Sequence, residues 1–380
     1  MHAKVLLAAI SGALMACASG NGDHGRREIT VIVAGSALIG PELRSVDNAV
    51  VVLEGDRITA AGPRSDVEVP DEVRSIDASG TTLVPGFIDA HVHLGFYTPQ
   101  EVLRGGVTTV RDLGWPPEAI FDLVRRSQHD LSMPRVLAAG PMLTAPGGYP
   151  TRAAWAPPGT GREIASAQDA RRAVDELAGR GAAVIKVALH PGVGPTLNGS
   201  ILKSIVEHAH DRGLKVTGHI SSLVEVDKAL DAGVDELAHM LMNAEPIPSE
   251  TIDRMVAAEV AIVPTLSIRR GYDHDVAVAN LARFLEAGGT VVYGTDLGNE
   301  GPRPGIDPLE IGAMLEAGMH GRAIVASATV EAARWLGLDD LGYIAPGMQA
   351  DLVAVRGNPV ADPLSLADVT MVWRAGQRVR

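Results

Sequence analysis

The stretch Pro85-Gly86-Phe87-Ile88-Asp89-Ala90-His91-Val92-His93-Leu94 is the part of this sequence that decides the fold. It continues an apolar, branched run from Thr81 that is typical of a buried β-strand. In a strand, residues two apart point to the same face, so His91 and His93 leave its end side by side. Two imidazoles placed in this way, next to the carboxylate of Asp89, can bind one divalent metal ion. The sequence therefore predicts a metal site at the end of this strand.

Short apolar strands alternate with helical patterns through the middle of the chain. The predicted strands are Leu83–Ile88, Val107–Arg111, Val136–Ala139, Val184–Leu189, Lys215–His219, Glu236–Met240, Ile262–Leu266 and Val291–Thr295. The helical patterns between them include Ala167–Arg180, Leu202–Arg212, Leu223–Ala232 and Leu281–Gly288. This alternation is typical of a (β/α)8 barrel, in which functional residues lie at the carboxyl ends of the strands.

Both ends of the chain carry short β-rich runs that cannot bury a β face alone. We therefore expect the two ends to pair with each other. The predicted architecture is an α/β fold. Residues 83–340 form a TIM-like (β/α)8 barrel, and residues 29–82 together with 341–380 form a small flanking β-sandwich.

Composition and net charge limit the classes of molecule that this protein is expected to bind. The chain has 380 residues, of which 46% are hydrophobic and 3% aromatic, so it can bury a full core that must be largely aliphatic. Its formal net charge of −13 argues against nucleic acid and anionic membrane surfaces as partners. A small-molecule substrate is the expected partner, and a homo-oligomer stays open.

The first residues are typical of an export signal. Val5–Ala16 is an apolar stretch too short to span a bilayer, and it follows a short basic start. Leu14-Met15-Ala16-Cys17 resembles a bacterial lipoprotein signal, with Cys17 as the lipidated residue. We expect a signal peptide at 1–16, a lipidated tether at 17–28, and a membrane-anchored lipoprotein that faces the periplasm or the cell exterior. The alternative is an ordinary signal segment that is removed.

Metal-binding residue types also fall on the ends of other predicted strands. Lys186 lies inside the apolar fourth strand, His219 ends the fifth, His239 ends the sixth, and Asp296 follows the eighth. Alone, each has an ordinary explanation, such as a hydrogen-bonded histidine or a helix N-cap. Their joint position at one barrel mouth favours a metal centre.

A second histidine pair provides an internal comparison. His208-Ala209-His210 has the same spacing but lies within a helical pattern. On a helix, residues two apart diverge by about 200°. These two side chains cannot bind one ion together, so we expect them to be surface residues.

Taken together, these motifs resemble the metal-dependent amidohydrolase superfamily. The likeness is strongest to its imidazolonepropionase-related and prolidase-like branch, because Gly105-Gly106-Val107-Thr108-Thr109-Val110-Arg111-Asp112 is similar to a segment of that branch. Residues 51–58 and 341–353 resemble the segments that build the flanking β-sandwich of the superfamily.

The resemblance implies a binuclear centre. His91, His93 and Asp296 would bind the more buried ion, and His219 and His239 would bind the second. Two zinc ions are expected at such a histidine and carboxylate site, with manganese, iron or cobalt as alternatives.

Lys186 would bridge both ions as an N-carboxylated lysine. An unmodified ammonium group repels a dication, whereas a carbamate is anionic and bidentate. The implied reaction is hydrolysis of an amide or cyclic amide C–N bond, other than a linear peptide bond, by a metal-activated hydroxide. Asp296 would carry the proton to the leaving nitrogen, and His239 would be a second catalytic residue.

Several other reactions stay open on the same site. These are the hydrolysis of lactones, phosphotriesters or dipeptides, and deamination; a non-catalytic binding protein is the alternative from another class. Deaminases of this superfamily typically carry a glutamate shortly after the strand-five histidine and lack the strand-four lysine. Here that stretch reads His219-Ile220-Ser221-Ser222, and Lys186 is present.

Loops after the strands supply candidate substrate contacts. Tyr149 lies in the Gly/Pro-rich loop 144–152 after the third strand. Arg303, in the loop 298–304 after the eighth strand, could bind a substrate carboxylate. His190 lies just beyond the fourth strand and is a third candidate. A packing tyrosine, a solvated arginine and an exposed histidine are the alternative interpretations.

Overall fold

The computed structural model describes residues 28–69, 73–242 and 246–380. The predicted signal segment 1–16, the predicted lipidation site Cys17 and the tether up to residue 27 lie outside the described residues. In the part of the chain that is described, no helix is long and apolar enough to cross a membrane.

Strands and helices alternate along most of the chain. The strands are β1 (Ile29–Ile39), β2 (Arg44–Glu54), β3 (Arg57–Pro63), β4 (Arg74–Pro85), β5 (Phe87–Val92), β6 (Val107–Asp112), β7 (Arg135–Ala138), β8 (Met142–Thr144), β9 (Gly161–Glu163), β10 (Ile185–Leu189), β11 (Val216–Ile220), β12 (Glu236–Ala238), β13 (Ala261–Val263), β14 (Leu352–Val355), β15 (Val369–Arg374) and β16 (Gln377–Arg378). The α-helices are α1 (Pro99–Arg104), α2 (Pro117–Ser127), α3 (Ala167–Gly179), α4 (Gly199–Asp211), α5 (Leu223–Ala232), α6 (Ser249–Ala257), α7 (Gly271–Glu286), α8 (Pro308–Glu316), α9 (Gly321–Ser327) and α10 (Val330–Leu336).

Polar side chains fix the starts of several helices. Ser166, Asn198 and Ser222 accept hydrogen bonds from backbone N–H groups in the first turns of α3, α4 and α5. Each cap satisfies a donor that has no partner within the helix. Helix α5 ends at Gly233, whose φ of 81° is a left-handed conformation that glycine adopts without strain.

The predicted barrel is confirmed. Its parallel strands follow one another in chain order. β5 pairs with β6 and β6 with β7, and a second set runs β8, β10, β11, β12, β13. The third barrel strand is divided into β7 and β8. The N–H of Ala183, just before β10, donates to the carbonyl of Ala138 at 2.9 Å, which joins the two sets.

Residues 290–297 close the ring between β13 and β5. Ile262 and Val291 form one parallel bridge, and Val92 and Leu297 form another. The N–H groups of this segment and of β5 exchange backbone hydrogen bonds of 2.7–3.0 Å, at the pairs Ala90–Tyr293, His93–Leu297 and Asp296–His91. The segment predicted as the eighth strand, Val291–Thr295, therefore holds the expected place without forming a regular strand.

Close packing explains this irregularity. A Cβ atom at Gly294 would lie 2.4 Å from a methyl carbon of Val263, so the backbone passes closer to β13 than any other residue would allow. Two residues later, Asp296 adopts a φ of 57°. A left-handed residue ends the regular ladder and turns its side chain toward the barrel mouth.

The two ends of the chain build one flanking sheet, as predicted. Its seven strands run in the order β16-β15-β14-β4-β1-β2-β3. β4 pairs in parallel with β1 and antiparallel with β14, so it joins the N-terminal strands to the C-terminal ones. The aliphatic side chains of Ile32, Val51 and Leu352 pack with the buried Trp373 in the core of this unit.

A buried ion pair crosses the barrel interior. Nη2 of Arg111, on β6, lies 2.6 Å from Oε1 of Glu236, on β12. Nε of Arg111 donates to the carbonyl of Ala90 at 2.8 Å, and Nε1 of Trp335 donates to the other carboxylate oxygen of Glu236 at 2.6 Å. Burial opposes the charge of Glu236, but the guanidinium of Arg111 and these hydrogen bonds outweigh it and lower the pKa of Glu236. Strands on opposite sides of the ring are thereby linked.

Candidate metal centre

Three buried side chains meet at the mouth of the barrel. Nε2 of His91 lies 3.3 Å from Oδ1 of Asp296, and Nε2 of His93 lies 3.2 Å from the same oxygen. The potential ligand atoms of the three residues all lie within 4.8 Å of one another. The side-chain alternation of β5 and the closing segment 290–297 together produce this cluster.

The donor set fits a divalent cation. Asp296 Oδ1 is buried and accepts no well-formed hydrogen bond from any described residue, although two imidazole nitrogens face it. Burial, aided by the charge of Lys186, lowers the pKa of His91 well below its usual range, so this imidazole is neutral. Neutral imidazole and carboxylate are the ligands that zinc and similar ions take in hydrolytic enzymes.

The orientation of His93 is fixed by its other ring nitrogen. Nδ1 of His93 lies 3.1 Å from the carbonyl oxygen of Gly114, which can only accept a hydrogen bond. In its neutral form, His93 therefore carries the proton on Nδ1 and presents the Nε2 lone pair to the centre. Burial opposes the charged form, but the carboxylate of Asp296 outweighs it and raises the pKa of His93. Asp112 holds this carbonyl in place, because its carboxylate accepts from the N–H of Gly114 at 3.0 Å and of Leu94 at 2.8 Å.

A second histidine pair lies beside the first cluster. Nε2 of His239 is 2.9 Å from Nδ1 of His219, and Nδ1 of His239 is 3.8 Å from Oδ2 of Asp296. Oγ1 of Thr265 lies 2.7 Å from Nδ1 of His239 and orients that ring. Burial lowers the pKa of both histidines well below the usual range. Two more neutral nitrogen ligands are thus available at the same mouth.

Lys186 lies among these histidines in the middle of β10. Its side chain is fully buried, and Nζ has no hydrogen-bond partner among the described residues. Burial lowers its pKa to about 7, although the charges of Asp296 and Glu236 partly oppose the shift. A buried amine without a partner is costly, so this position calls for a further group.

Left-handed backbone conformations occur at the strand ends that carry the site. His239 has a φ of 78°, Thr265 of 49° and Asp296 of 57°. Such conformations are uncommon outside glycine and are concentrated at functional sites. They explain why β12 ends at Ala238 rather than at Met240 as predicted, because the turn at His239 redirects its side chain toward the cavity.

Asp89 holds the backbone on both sides of the cluster through hydrogen bonds. Its carboxylate accepts from the N–H of His91 at 3.0 Å, and from the N–H and hydroxyl of Thr295 at 3.1 and 2.7 Å. Burial raises its pKa to about 7. Asp89 therefore ties β5 to the closing segment and is not itself a ligand.

A cavity of about 230 Å³ opens onto these residues. Its lining includes two of the three predicted loop contacts, Tyr149 and His190. The Tyr149 ring lies 5.0 Å from that of His219, and the His190 ring stacks on His219 at 5.3 Å. Trp155, which the sequence analysis did not single out, also lines the cavity, with its ring 5.4 Å from that of His93.

The two loop arginines lie in different places. Arg303 is exposed and is not part of the cavity lining, so the structure does not bring it to the cluster. Arg269, which follows β13, lines the cavity instead. Nothing in the sequence separates Arg269 from its neighbour Arg270, apart from its position just beyond a barrel strand.

The helical histidine pair has no part in the site. His208 and His210 lie on α4 and contact different carboxylates. Nε2 of His208 is 2.8 Å from Asp175, and Nε2 of His210 is 2.9 Å from Asp235. The predicted divergence on a helix is therefore observed.

Glu310, on α8, anchors the turn that carries Arg269. Its Oε2 accepts from the N–H of Ser267 at 2.7 Å, and burial raises its pKa to about 8. Because this pKa lies above that of a glutamate in the unfolded chain, the folded protein keeps the proton on Glu310 up to a higher pH. Stability from this group is therefore present at low pH and is lost as the pH rises toward 8.

From pH 6 to 9, we expect the thermal midpoint of the wild type to fall ~5 °C more than that of Glu310→Gln. Parallel curves for the two proteins would contradict the shift.

The family model for the amidohydrolase family matches residues 82–379. An imidazolonepropionase of Streptomyces griseus subsp. griseus is 26% identical over 389 residues, which cover 90% of this chain and 94% of the relative. A 5-methylthioadenosine/S-adenosylhomocysteine deaminase of Symbiobacterium thermophilum is 25% identical over 382 residues, which cover 81% of this chain and 80% of the relative.

Among solved structures, a Xaa-Pro dipeptidase with bound methionine superposes with a TM-score of 0.78. It is 24% identical, and the match covers 92% of this chain and 99% of that one, which supports the fold. The family match spans the barrel, the His-His-Asp cluster and the C-terminal strands β14, β15 and β16 of the flanking sheet. The chain therefore belongs to the amidohydrolase family and is a metal-dependent hydrolase of carbon–nitrogen bonds.

Proposed function

We propose that this protein cleaves an amide or cyclic amide C–N bond in a small molecule at a two-metal centre bridged by carboxylated Lys186. Zinc is the proposed ion. The observation that carries the proposal is the Nζ of Lys186, which is fully buried and without a partner among the described residues, close to several neutral histidines.

The first group of ligands is the imidazoles of His91 and His93 with Asp296, and the second is His219 with His239. A bound divalent ion would supply a water of pKa ~7 and would polarise the substrate carbonyl. The chain itself supplies neutral ligands, because burial lowers the pKa of His91, His219 and His239.

Lys186 is suited to carboxylation. Its pKa of about 7 leaves a substantial neutral fraction of the amine at neutral pH. The neutral nitrogen adds to carbon dioxide: one N–C bond forms, the electrons of one C=O π bond move onto oxygen, and one proton passes from the nitrogen to solvent. The product is an anion, which replaces an unpartnered buried amine by a group that can bind two cations.

Asp296 is the proposed proton carrier. It is buried, lines the cavity and places Oδ2 3.8 Å from Nδ1 of His239. In the proposed reaction its carboxylate accepts a proton from the attacking water and returns it to the leaving nitrogen. His239, held by Thr265, lies beside the substrate carbonyl and orients it.

Replacing Lys186 with Ala tests the bridge. We expect the metal content to fall from two ions per chain to one or none, because the bridging anion is lost. The value of kcat/KM should fall at least ~10²-fold, since even supporting residues of metal sites contribute 10- to 100-fold. Metal analysis and hydrolysis of N-acyl amino acids, dipeptides, cyclic amides and lactones provide the measurements. A protein labelled with ¹³C-bicarbonate should show a carbamate resonance that Lys186→Ala lacks.

The double variant His208→Ala/His210→Ala is the matched control. It removes two histidines of the same spacing from α4 and should keep both metal content and activity. Full metal content and activity in Lys186→Ala would overturn the bridge. Hydrolysis of lactones alone, release of ammonia from purines, or inactivity of the metal-replete wild type would replace amide cleavage by lactone hydrolysis, deamination or a binding role, respectively.

The cellular setting is a further proposal. The apolar stretch before Cys17 supports export and lipid anchoring, and the acidic net charge supports a partner that is neither nucleic acid nor an anionic surface. Labelling with radioactive palmitate, with Cys17→Ser as the control, tests the anchor.

A further inference from the structure

Arg269 is placed at the cavity by a tightly anchored turn. Thr265 turns the backbone with a φ of 49°, and the N–H of Arg269 donates to the carbonyl of Leu266 at 2.9 Å. Ser267 is fixed at both its N–H, by Glu310, and its hydroxyl, which donates to the carbonyl of Thr295 at 3.1 Å. The guanidinium thus extends from a rigid support.

The guanidinium of Arg269 forms no ion pair among the described residues, although the charges of Asp296, Asp273 and Glu310 stabilise it partly. Its Nε is buried and makes no hydrogen bond to any described group. Burial lowers its pKa, but an arginine stays protonated in proteins. Two buried arginines differ from the half-buried Arg269: Arg111 lies 2.6 Å from Glu236, and Arg374 lies 3.6 Å from Asp351.

Aromatic side chains occupy another part of the same lining. The rings of Tyr149 and Trp155 are 6.0 Å apart, and those of Phe96 and Trp155 are 6.3 Å apart. These rings lie next to His93 and His219 and offer flat apolar faces. The cavity therefore combines metal ligands, an unpaired cation and an aromatic wall within about 230 Å³.

We propose that Arg269 binds a carboxylate of the substrate, and that the substrate is a small N-acyl amino acid with a flat, apolar acyl group. This inference rests on the proposed hydrolysis of an amide at the same site. One carboxylate matches the charge of one guanidinium and can accept two parallel hydrogen bonds from it. The aromatic wall takes the acyl group, and the amide carbonyl lies between them at the histidine cluster.

A pair of substrates that differ in charge tests the inference with the metal-replete protein. The pair is N-benzoylglycine and its neutral counterpart, N-benzoylglycinamide. We expect the wild type to prefer the acid, and Arg269→Met to lose ~10- to 100-fold in kcat/KM for the acid, mostly through KM. Activity on the amide is the reference, so the acid-to-amide ratio of kcat/KM should fall in Arg269→Met, and circular dichroism shows whether the variant is folded. Arg269→Lys should retain part of the preference.

A binding experiment separates this inference from the proposed function. The ketone 4-oxo-4-phenylbutanoate has the shape of N-benzoylglycine without the scissile nitrogen, and its primary amide is the neutral control. Calorimetry should show tighter binding of the acid to the wild type, and equal binding of both compounds to Arg269→Met. If the preference is present but neither N-acyl amino acids nor cyclic amides are hydrolysed, the proposed reaction fails and the role of Arg269 stands. If only cyclic amides are hydrolysed, the reaction stands and the N-acyl amino acid is excluded as the substrate class.

Three results would overturn the role of Arg269. These are equal binding of acid and amide by the wild type, no binding of either compound at millimolar concentration, and an acid preference that survives in Arg269→Met.

Arg303→Met distinguishes the two loop arginines. The acid preference should persist in that variant, and its loss there would assign the carboxylate to Arg303 instead.

Discussion

Replacing Asp296 with Asn is expected to lower kcat at least ~10³-fold, which lies within the range for loss of a general acid–base group. Asparagine keeps the size of the side chain but cannot accept a proton at neutral pH. It also removes the anionic oxygen that lies 3.2–3.3 Å from Nε2 of His91 and His93. Both effects act on the reacting centre, so a large loss should occur without unfolding.

Metal analysis separates the two effects. If Asp296→Asn retains its metal ions and still loses activity, the missing function is proton transfer. If the ions are lost as well, the carboxylate is needed first as a ligand. The control is Asp175→Asn, which changes a surface carboxylate that contacts His208 on α4 and should leave kcat unchanged. Metal-replete Asp296→Asn with more than a tenth of wild-type activity would show that another group carries the proton.

Replacing Arg111 with Met is expected to destabilise the protein by ~3–5 kcal/mol, the usual cost of removing one partner of a buried ion pair. The variant would leave the carboxylate of Glu236, which is 1% exposed, without its guanidinium partner. The carbonyl of Ala90 would also lose a donor. Chemical denaturation, followed by circular dichroism, measures the change in the free energy of unfolding.

Two further variants identify the source of that loss. Arg254→Met removes an exposed arginine that contacts Asp227 and Asp231, and it should cost less than ~1 kcal/mol. The double variant Arg111→Met/Glu236→Gln removes both charges and keeps an acceptor for Trp335, so it should be more stable than Arg111→Met alone. Similar costs for Arg111→Met and Arg254→Met would show that burial of the pair contributes nothing.

The metal cluster could be predicted because local periodicity decides it. A strand places His91 and His93 on one face whatever surrounds it, and the barrel brings the ends of parallel strands to one mouth. On a helix, the different periodicity keeps His208 and His210 apart, as predicted. Fold class and pairing of the two chain ends followed from patterns of the same kind.

Other features depend on tertiary contacts that the sequence does not display. Val291–Thr295 has the composition of a strand, but the close approach of Gly294 to Val263 and the left-handed turn at Asp296 replace the regular ladder. Arg269 and Arg303 both appear as loop arginines. The turn anchored by Glu310 brings one of them to the cavity, whereas the other stays in solvent.

The joint that closes the barrel limits how this enzyme can change. Residues 290–297 complete the ring between β13 and β5, and the same segment presents Asp296 to the reacting centre. An alteration there acts on architecture and chemistry together. The loops 144–152 and 298–304 do not both close the barrel and present a residue to the reacting centre. New substrate ranges are therefore most accessible, to natural variation or to engineering, through the loops.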